Sequence, residues 1–564
     1  MDAALIAQAL ADFLGLPVDQ IQARLERPPR QDWGDVSYPC FELAKRWRRS
    51  PQDIAAELAA TLPSGTWTAS AAGGYLNFAW HREKVLPGEL RRALQKGVAL
   101  PQTGTGKTVV LEFGSPNVAK PISMGNLFPT IIGHALSRMY QALGWKVIGI
   151  NHLGDWGSQF GKVLAAYHRW GQEEEVRGDP VNALYRLYVH FHAEAPRDPG
   201  LGREAQAWLQ RLEGGDLEAH RLWRWFVEAS TDAFLSTYAR LGVTFDHVWG
   251  ESFYKDRIPD VVQQLRSDRL LETSQGAQVV RVGDDIPPCI IVKSDGTSIY
   301  AARDVAAAIY RYERFGFDQM IYVVGAEQTL HFTQVFRTLK RMGYPWADNC
   351  HHVGFGLIRL EGRKMSSRRG DVVLLEDVLD EAVRRVAAII DGKRPRLKDK
   401  ARIAEVVGVG AVVFHGLKNQ RMRDLEFNWA EVLSFEGETG PYVQYTQARI
   451  HSLMEKAQFQ PQQFFQIPEP WGPEHPVTTL EWELWSALSG YENTVVQATV
   501  KNEPFLVARR LLDISQSFNG LYNNQRILSD DINTRIKLLA LSDHTGQVLK
   551  HGLNLLGIEA PDTM

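Results

Sequence analysis

The most constraining feature of this chain is a strand, turn, helix and strand between Val109 and Asn151. The apolar run VVLEF, Val109 to Phe113, leads into SPNVAKPISMGN, Ser115 to Asn126. LFPTIIGHALSRMY follows with apolar residues at helical spacing, and KVIGIN, Lys146 to Asn151, is a second apolar strand. Two strands joined by a helix make a βαβ unit, and such units build parallel sheets. Ligands of these sheets bind beyond the carboxyl ends of the strands, where the Ser-, Asn- and Lys-bearing turn falls. A helix N-terminus there offers unpaired N–H groups and a positive dipole end to phosphate. Gly125 would let a nucleotide approach the backbone closely, and Lys120 would add a mobile positive charge. A plain turn in which Asn126 caps the helix accounts for the same letters.

At 564 residues the chain has room for several cores, roughly three or four domains by length. The formal net charge of −3 excludes an overall basic field. An RNA partner would have to be held by local basic patches and aromatic contacts. Cys40, Cys289 and Cys350 are far apart, with neither metal-ligand spacing nor a disulfide framework, which points to a reducing compartment. The opening MDAALIAQALADFLGLP reads as an amphipathic helix without the basic start of a signal peptide. No apolar run approaches the length of a membrane span, so a cytoplasmic location is expected.

Short helices and strands alternate over the first hundred or so residues and close on GGYLNFAW, an alternating strand. PQTGTGKT is a linker: a phosphate-binding loop would need glycine at Pro101 and would follow a strand, not precede one. A Trp- and Arg-rich helical stretch from about Lys162 to Gly242 reads as an insertion into the α/β region. Strand signals return at AQVVRVGDD, PPCIIVKSDG and QMIYVVG, and amphipathic helices dominate after Glu431.

Three further stretches bear candidate chemistry. KMSSRRG is basic and hydroxyl-bearing, suited to a polyanion such as pyrophosphate leaving ATP, or equally to a solvated loop. In SIYAARD, Tyr300 and Asp304 are four apart and share a helix face. An aromatic ring beside a carboxylate grips a cationic side chain; an ordinary helix start has the same pattern. VVGAEQTLHF adds a polar turn.

Taken together, EFGSPNVAKP, NHLGDWGSQFG, LGVTFDHVWGESFY, YVVGAEQTLHF, RKMSSRRGDVV, GETGPYVQYTQAR and the closing LGIEAPDTM resemble the arginyl-tRNA synthetases, a class I aminoacyl-tRNA synthetase family. The resemblance runs end to end. It implies an α/β multidomain chain with an N-terminal α/β tRNA-binding domain over 1–100. A Rossmann-like, parallel-sheet catalytic domain over 101–370 would carry a helical insertion at about 165–245. A connecting helical region over 371–430 and an all-α anticodon-binding domain over 431–564 would follow. The implied reaction joins L-arginine to its tRNA using ATP with Mg2+, through an arginyl-adenylate. In this family, activation typically awaits bound tRNA.

Glu112, Asn117, Tyr300, Asp304 and Gln328 match the family's arginine-binding positions. A guanidinium rewards a planar carboxylate partner, which a lysine ammonium cannot match. Lys120, Ser123, Asn126 and Lys364 match catalytic positions; Ser123, Gly125, Asn126, Lys364, Met365 and Ser366 match the ATP site. Asn77 and Trp80 match contacts to the tRNA elbow; Tyr442, Thr446, Tyr522 and Met564 match contacts to the anticodon. No resident metal site and a monomer are implied.

Two departures stand out. Ser123-Met124-Gly125-Asn126 replaces the class signature His-x-Gly-His, and Phe128-Pro129 replaces a usual Arg-Ser. Lys364-Met365-Ser366-Ser367-Arg368 keeps the first lysine of KMSKS and has Ser367 where the second falls. Lys120, Arg368 and Arg369 are candidates to supply the missing charge. Two other readings remain open: a divergent paralogue activating arginine for another acceptor, and an inactive tRNA-binding regulatory protein.

Overall fold

Parallel pairing of the apolar runs organises the larger part of the molecule. The structure is a computed structural model and describes residues 3–63, 65–293, 300–360, 363–364, 373–467 and 476–564. The chain divides into two units. One comprises Met1–Ala99, Arg449–Tyr491 and Asp513–Val548; the other comprises Leu100–Ala448, Glu492–Leu512 and Leu549–Met564.

In the first unit, strands β1 (Val36–Pro39), β2 (Trp67–Ala72) and β3 (Tyr75–Trp80) form an antiparallel sheet in the order β1-β3-β2. The expected N-terminal helix is present over Ala3–Leu14, and Pro51–Thr61 starts at Ser50 as its Ser-Pro pair predicts. Residues distant in sequence complete this unit. Trp482 Nε1 donates to Asp35 Oδ1 at 2.8 Å, and Arg91 donates to the Phe465 and Ile467 carbonyls at 3.1 Å each.

In the second unit, the strands are β4 (Thr108–Glu112), β5 (Lys146–Asn151), β6 (His247–Val248), β7 (Leu271–Ser274), β8 (Ala277–Val280), β9 (Cys289–Val292), β10 (Gln319–Tyr322), β11 (Cys350–His352), β12 (Ile358–Leu360), β13 (Arg363–Lys364) and β14 (Leu425–Phe427). The central sheet has the order β11-β10-β4-β5-β6, and every neighbouring pair is parallel. Val109, Val110 and Leu111 on β4 are fully buried, as a strand covered on both faces requires. The β4–β5 crossover is the helix Leu127–Ala142, which also packs against the helix Lys400–Leu417. Gly133 lets this helix lie close to the sheet: a Cβ there would fall 2.2 Å from the Phe113 ring.

Five helices between Ser158 and Arg240 fill the expected helical stretch. The strand signals at Ala277 and Cys289 leave the parallel sheet; β7, β8 and β9 form an antiparallel sheet of their own.

Candidate active site

The sheet grows from β4 in two directions, through β5 and β6 on one side and through β10 and β11 on the other. The connections diverge at this switch point and leave a crevice at the strand ends. A cleft of about 520 Å³ lies there, within the roughly 300–1,000 Å³ usual for small-molecule sites. Its lining follows the carboxyl ends in turn: Glu112, Gly114 and Ser115 beyond β4, His152 and Gly154 beyond β5, Val323 to Gly325 beyond β10, and Phe355 and Gly356 beyond β11.

One wall is acidic. Glu112 ends β4, Glu251 opens the short helix Glu251–Arg257, Asp304 lies on the helix Tyr300–Phe315, and Glu327 and Gln328 form the turn after β10. Asp304 and Arg311 are seven residues apart and therefore share a helix face. Arg311 Nη1 donates to Glu112 Oε2 at 2.5 Å, and its Nε donates to the Tyr254 hydroxyl at 3.1 Å. This pair is interior: Arg311 is 0% and Glu112 5% exposed. Arg303, the neighbour of Asp304, pairs with Glu251. His331 Nε2 donates to Asp304 Oδ2 at 2.5 Å. Three cleft carboxylates thus each have an internal basic partner.

The electrostatics follow from this pairing. Burial pushes the Glu251 carboxyl up to about 7; Arg303 opposes the rise, and the charges of Asp304 and Asp155 add to it. Burial also raises Asp304, but the hydrogen bond and charge of His331, with His152 and Arg303, outweigh it and hold the carboxyl below its usual range. Asp155, behind the wall, is raised by burial, although it accepts hydrogen bonds from Ser252 N at 2.8 Å and Ser252 Oγ at 2.5 Å.

The opposite wall is the turn that opens the helix Leu127–Ala142. Asn126 Oδ1 accepts from Ser123 N at 3.0 Å and from Ser123 Oγ at 3.1 Å. The two residues that replace the signature histidines therefore close the turn on each other, and the Asn126 Nδ2 donor remains for the cleft that Asn126 lines. Gly125 also lines the cleft, and a Cβ there would meet only Ser123 Oγ, at 3.4 Å. Among the described residues no protein group crowds this position, so glycine leaves room on the cleft side. Upstream, Ser115 (φ 44°) and Ala119 (φ 62°) adopt left-handed conformations, each costing roughly 1–2 kcal/mol. Such strain concentrates at ligand sites. Ser115 Oγ is buried without a hydrogen-bond partner among the described residues. Asn117 lies against Gly154, where a Cβ would come 2.3 Å from Asn117 Oδ1; glycine is needed there for close approach.

Backbone pairing ties the basic KMSSRRG segment to the same cleft at both ends. β13 pairs antiparallel with β12, setting Lys364 opposite Arg359, the neighbour of the cleft residue Ile358. On the far side, Met124 N donates to the Val373 carbonyl and Leu375 N to the Ile122 carbonyl, both at 3.0 Å. The side chain of Lys364, and Met365 and Ser366 entirely, lie outside the described residues. Tyr300 opens its helix, and its side chain also lies outside them.

The structure thus brings together Glu112, Asn117, Gly125, Asn126, Asp304 and Gln328. It does not bring Lys120 to the cleft lining: its ammonium lies 4.7 Å from the Tyr188 ring centroid. Asn77 is fully buried in β3, accepting from Ser37 Oγ at 2.9 Å and donating to the Tyr75 carbonyl at 3.3 Å. Trp80 is buried beside it in sequence. Thr446 is buried, with its hydroxyl on the Tyr442 carbonyl at 2.8 Å. Tyr442 is half-buried and Tyr522 is exposed, its ring 4.8 Å from the Arg449 guanidinium. Met564 is partly exposed.

Sequence reasoning did not single out Ser115, Glu251, Arg311 or His331. Glu251 and His331 stand in the quoted stretches GESFY and AEQTLHF, so letters alone marked their neighbourhood but no role. Arg311 carried a usable signal, a basic residue two helical turns from Asp304 on the same face.

Three family models match this chain: "Arginyl tRNA synthetase N terminal domain" over residues 3–80, "tRNA synthetases class I (R), catalytic domain" over 89–429 and "DALR anticodon binding domain" over 443–564. The chain is 44% identical over 563 residues to an arginine--tRNA ligase of an Exiguobacterium species, covering 99% of each. It is 43% identical over 569 residues to that of Clostridium perfringens, again covering 99% of each. Among solved structures, the arginyl-tRNA synthetase of Thermus thermophilus superposes with a TM-score of 0.83 at 28% identity, covering all of both chains. That of Plasmodium falciparum has a TM-score of 0.79 at 20% identity, covering 96% of this chain and 94% of the other, a likeness of fold.

Proposed function

Because this chain belongs to the arginyl-tRNA synthetases of class I, we propose that its cleft holds arginine on the acidic wall and ATP on the Ser115–Asn126 turn. The chain is an aminoacyl-tRNA ligase: it activates L-arginine with ATP and transfers the arginyl group to tRNA. The single observation that supports the division of the cleft is its polarity. Glu112, Glu251, Asp304 and Glu327 line one side, and a helix N-terminus with a bare glycine lines the other. A cation and a polyanion are thereby offered neighbouring seats.

In this reading Asp304, Gln328, Asn117 and Tyr300 take the guanidinium and its stem, and the free oxygen of Glu112 takes the ammonium. The arginine carboxylate then attacks the α-phosphate, and negative charge builds on the phosphate oxygens. Asn126 Nδ2 and the first N–H groups of the helix stabilise that charge, and Lys364 is assigned the same role. Ser123 orients Asn126, and Gly125 gives the nucleotide room. Met365 and Ser366 are assigned to the ATP site with Lys364, and Arg368 and Arg369 to charge for the departing pyrophosphate; Lys120, which lies on the Tyr188 ring, would have to leave it to join them. Magnesium carried on the ATP phosphates would offset their negative charge.

For tRNA, Tyr442, Tyr522 and Met564 supply stacking and apolar contact to unpaired bases. Asn77, Trp80 and Thr446 shape the surfaces from within, since their side chains are buried. The enzyme works as a monomer in the cytoplasm; its three cysteines are free and buried, as a reducing compartment allows.

The test is Asp304→Ala, assayed by tRNA charging and by arginine-dependent ATP–pyrophosphate exchange with and without tRNA. The arginine KM should rise at least about a hundredfold, the scale of one lost charged bidentate contact. Normal charging by this variant rejects the pocket assignment.

A further inference from the structure

Glu112 ends the central strand β4, in register with Tyr322 of β10 and Ile150 of β5, and lines the cleft. A strand end fixes the Cα of a glutamate, but its side chain turns about several bonds and its carboxylate is left to wander. Here a guanidinium stands behind it: Arg311 Nη1 donates to Glu112 Oε2 at 2.5 Å. We propose that Arg311 is a positioning residue for the α-ammonium of the substrate. It holds the Glu112 carboxylate in the orientation that meets that group, and so makes the pocket select substrates that carry it. This rests on reading the cleft as the arginine site.

Arg311 is placed to hold a neighbour, not a ligand. It is 0% exposed, so a molecule in the cleft meets the carboxylate and not the guanidinium behind it. Its Nε donates to the Tyr254 hydroxyl at 3.1 Å. The guanidinium lies 5.3 Å from the Tyr254 ring centroid and 5.7 Å from that of Tyr322, and both tyrosines are buried. The planar fork is thus fixed by a hydrogen bond at one edge and by the rings beside it. The helix Tyr300–Phe315 that carries Arg311 also carries Asp304. One rigid element therefore places the carboxylate proposed for the guanidinium and the anchor of the carboxylate proposed for the ammonium. The spacing at which the two ends of the substrate are received is set by that element.

Charge alone would act against binding. A cation beside Glu112 weakens the pull of the carboxylate on a second cation. What Arg311 contributes is therefore orientation: a carboxylate fixed beforehand loses no freedom when the ligand arrives. Lysine in its place would keep the charge, but a single ammonium on a flexible stem does not reproduce the fork that joins Glu112 to Tyr254.

The test compares arginine with δ-guanidinovalerate, which is arginine without its α-amino group, in tRNA charging by the full-length enzyme. The analogue competes with arginine but offers Glu112 nothing to hold. Arg311→Lys should raise the arginine KM about tenfold and leave the Ki of the analogue within about twofold. With Glu112→Gln already in place, Arg311→Lys should change the arginine KM by less than about twofold, because the group it acts through is gone. Tyr254→Phe removes the hydroxyl that anchors Nε and should raise the arginine KM about threefold, again sparing the analogue. It carries the test if Arg311→Lys does not fold, which circular dichroism of each variant decides. This pattern supports the proposal. An unchanged arginine KM, an equal rise in KM and Ki, or a full additional rise on top of Glu112→Gln overturns it and leaves the pocket in place. If Glu112→Gln itself keeps the parent's preference for arginine over the analogue, the ammonium reading falls and the proposal with it.

Discussion

Replacing Arg311 by methionine exposes the energetics on which the acidic wall depends. Arg311 is fully buried, and Nη1 donates to Glu112 Oε2 at 2.5 Å while Nε donates to the Tyr254 hydroxyl at 3.1 Å. Methionine fills nearly the same space, so little cavity forms. The Glu112 carboxylate, however, would be left buried without its counter-charge, at a cost of about 3–5 kcal/mol. At about 2 cal/mol/K of unfolding entropy per residue, a unit of this size loses roughly 1 °C per kcal/mol, so a fall on the order of 5 °C is expected in calorimetry. The double variant Glu112→Gln with Arg311→Met removes both charges and should recover most of the loss, giving a coupling energy of at least about 2 kcal/mol. Because Glu112 is proposed to take the substrate's ammonium, the recovered double variant should still charge tRNA poorly. Two results would refute this reasoning: a single variant costing less than about 1 kcal/mol, or a double variant costing the full sum of the two singles.

Three further outcomes are expected. Gly125→Val should melt within about 2 °C of the parent, since a Cβ at Gly125 meets only Ser123 Oγ at 3.4 Å, yet raise the ATP KM by about tenfold or more in pyrophosphate exchange. Glu251 has its pKa raised in the folded state, from 4.5 to about 7. It therefore contributes stability that is fully present below about pH 4.5 and lost as pH rises through 7, on the order of 3 kcal/mol; urea midpoints of Glu251→Gln should show a smaller decline over that window. Lys364→Ala should lower kcat by about a hundredfold while leaving arginine binding, read by calorimetric titration, nearly unchanged.

Local chemistry made much of the fold legible. VVLEF and KVIGIN are continuous apolar runs, which only strands buried on both faces can use, and they pair as β4 and β5. The four-residue spacing of Tyr300 and Asp304 was read correctly as a helix start. The antiparallel sheet of β7, β8 and β9 was less legible, because strand letters do not carry the partner or its direction. Within the site, the sequence led to the acidic residues and to the turn around Gly125. It did not reveal that Ser123 and Asn126 bond each other, nor that Asn77 points inward; the same polar letters serve a ligand or a neighbour equally well.

The sequence by itself determined the parallel α/β core, the family and the glycine-bearing turn after β4, because apolar runs, glycine positions and motif order are local properties of the chain. Tertiary structure alone decided which partners those residues keep. Residues 449–491 join the N-terminal sheet through Trp482 and Asp35, and Arg311, His331 and Arg303 attach to Glu112, Asp304 and Glu251 across separate elements. The physical reason is that burial and pairing of charge depend on distances in space, which the chain sets only once its distant segments have met.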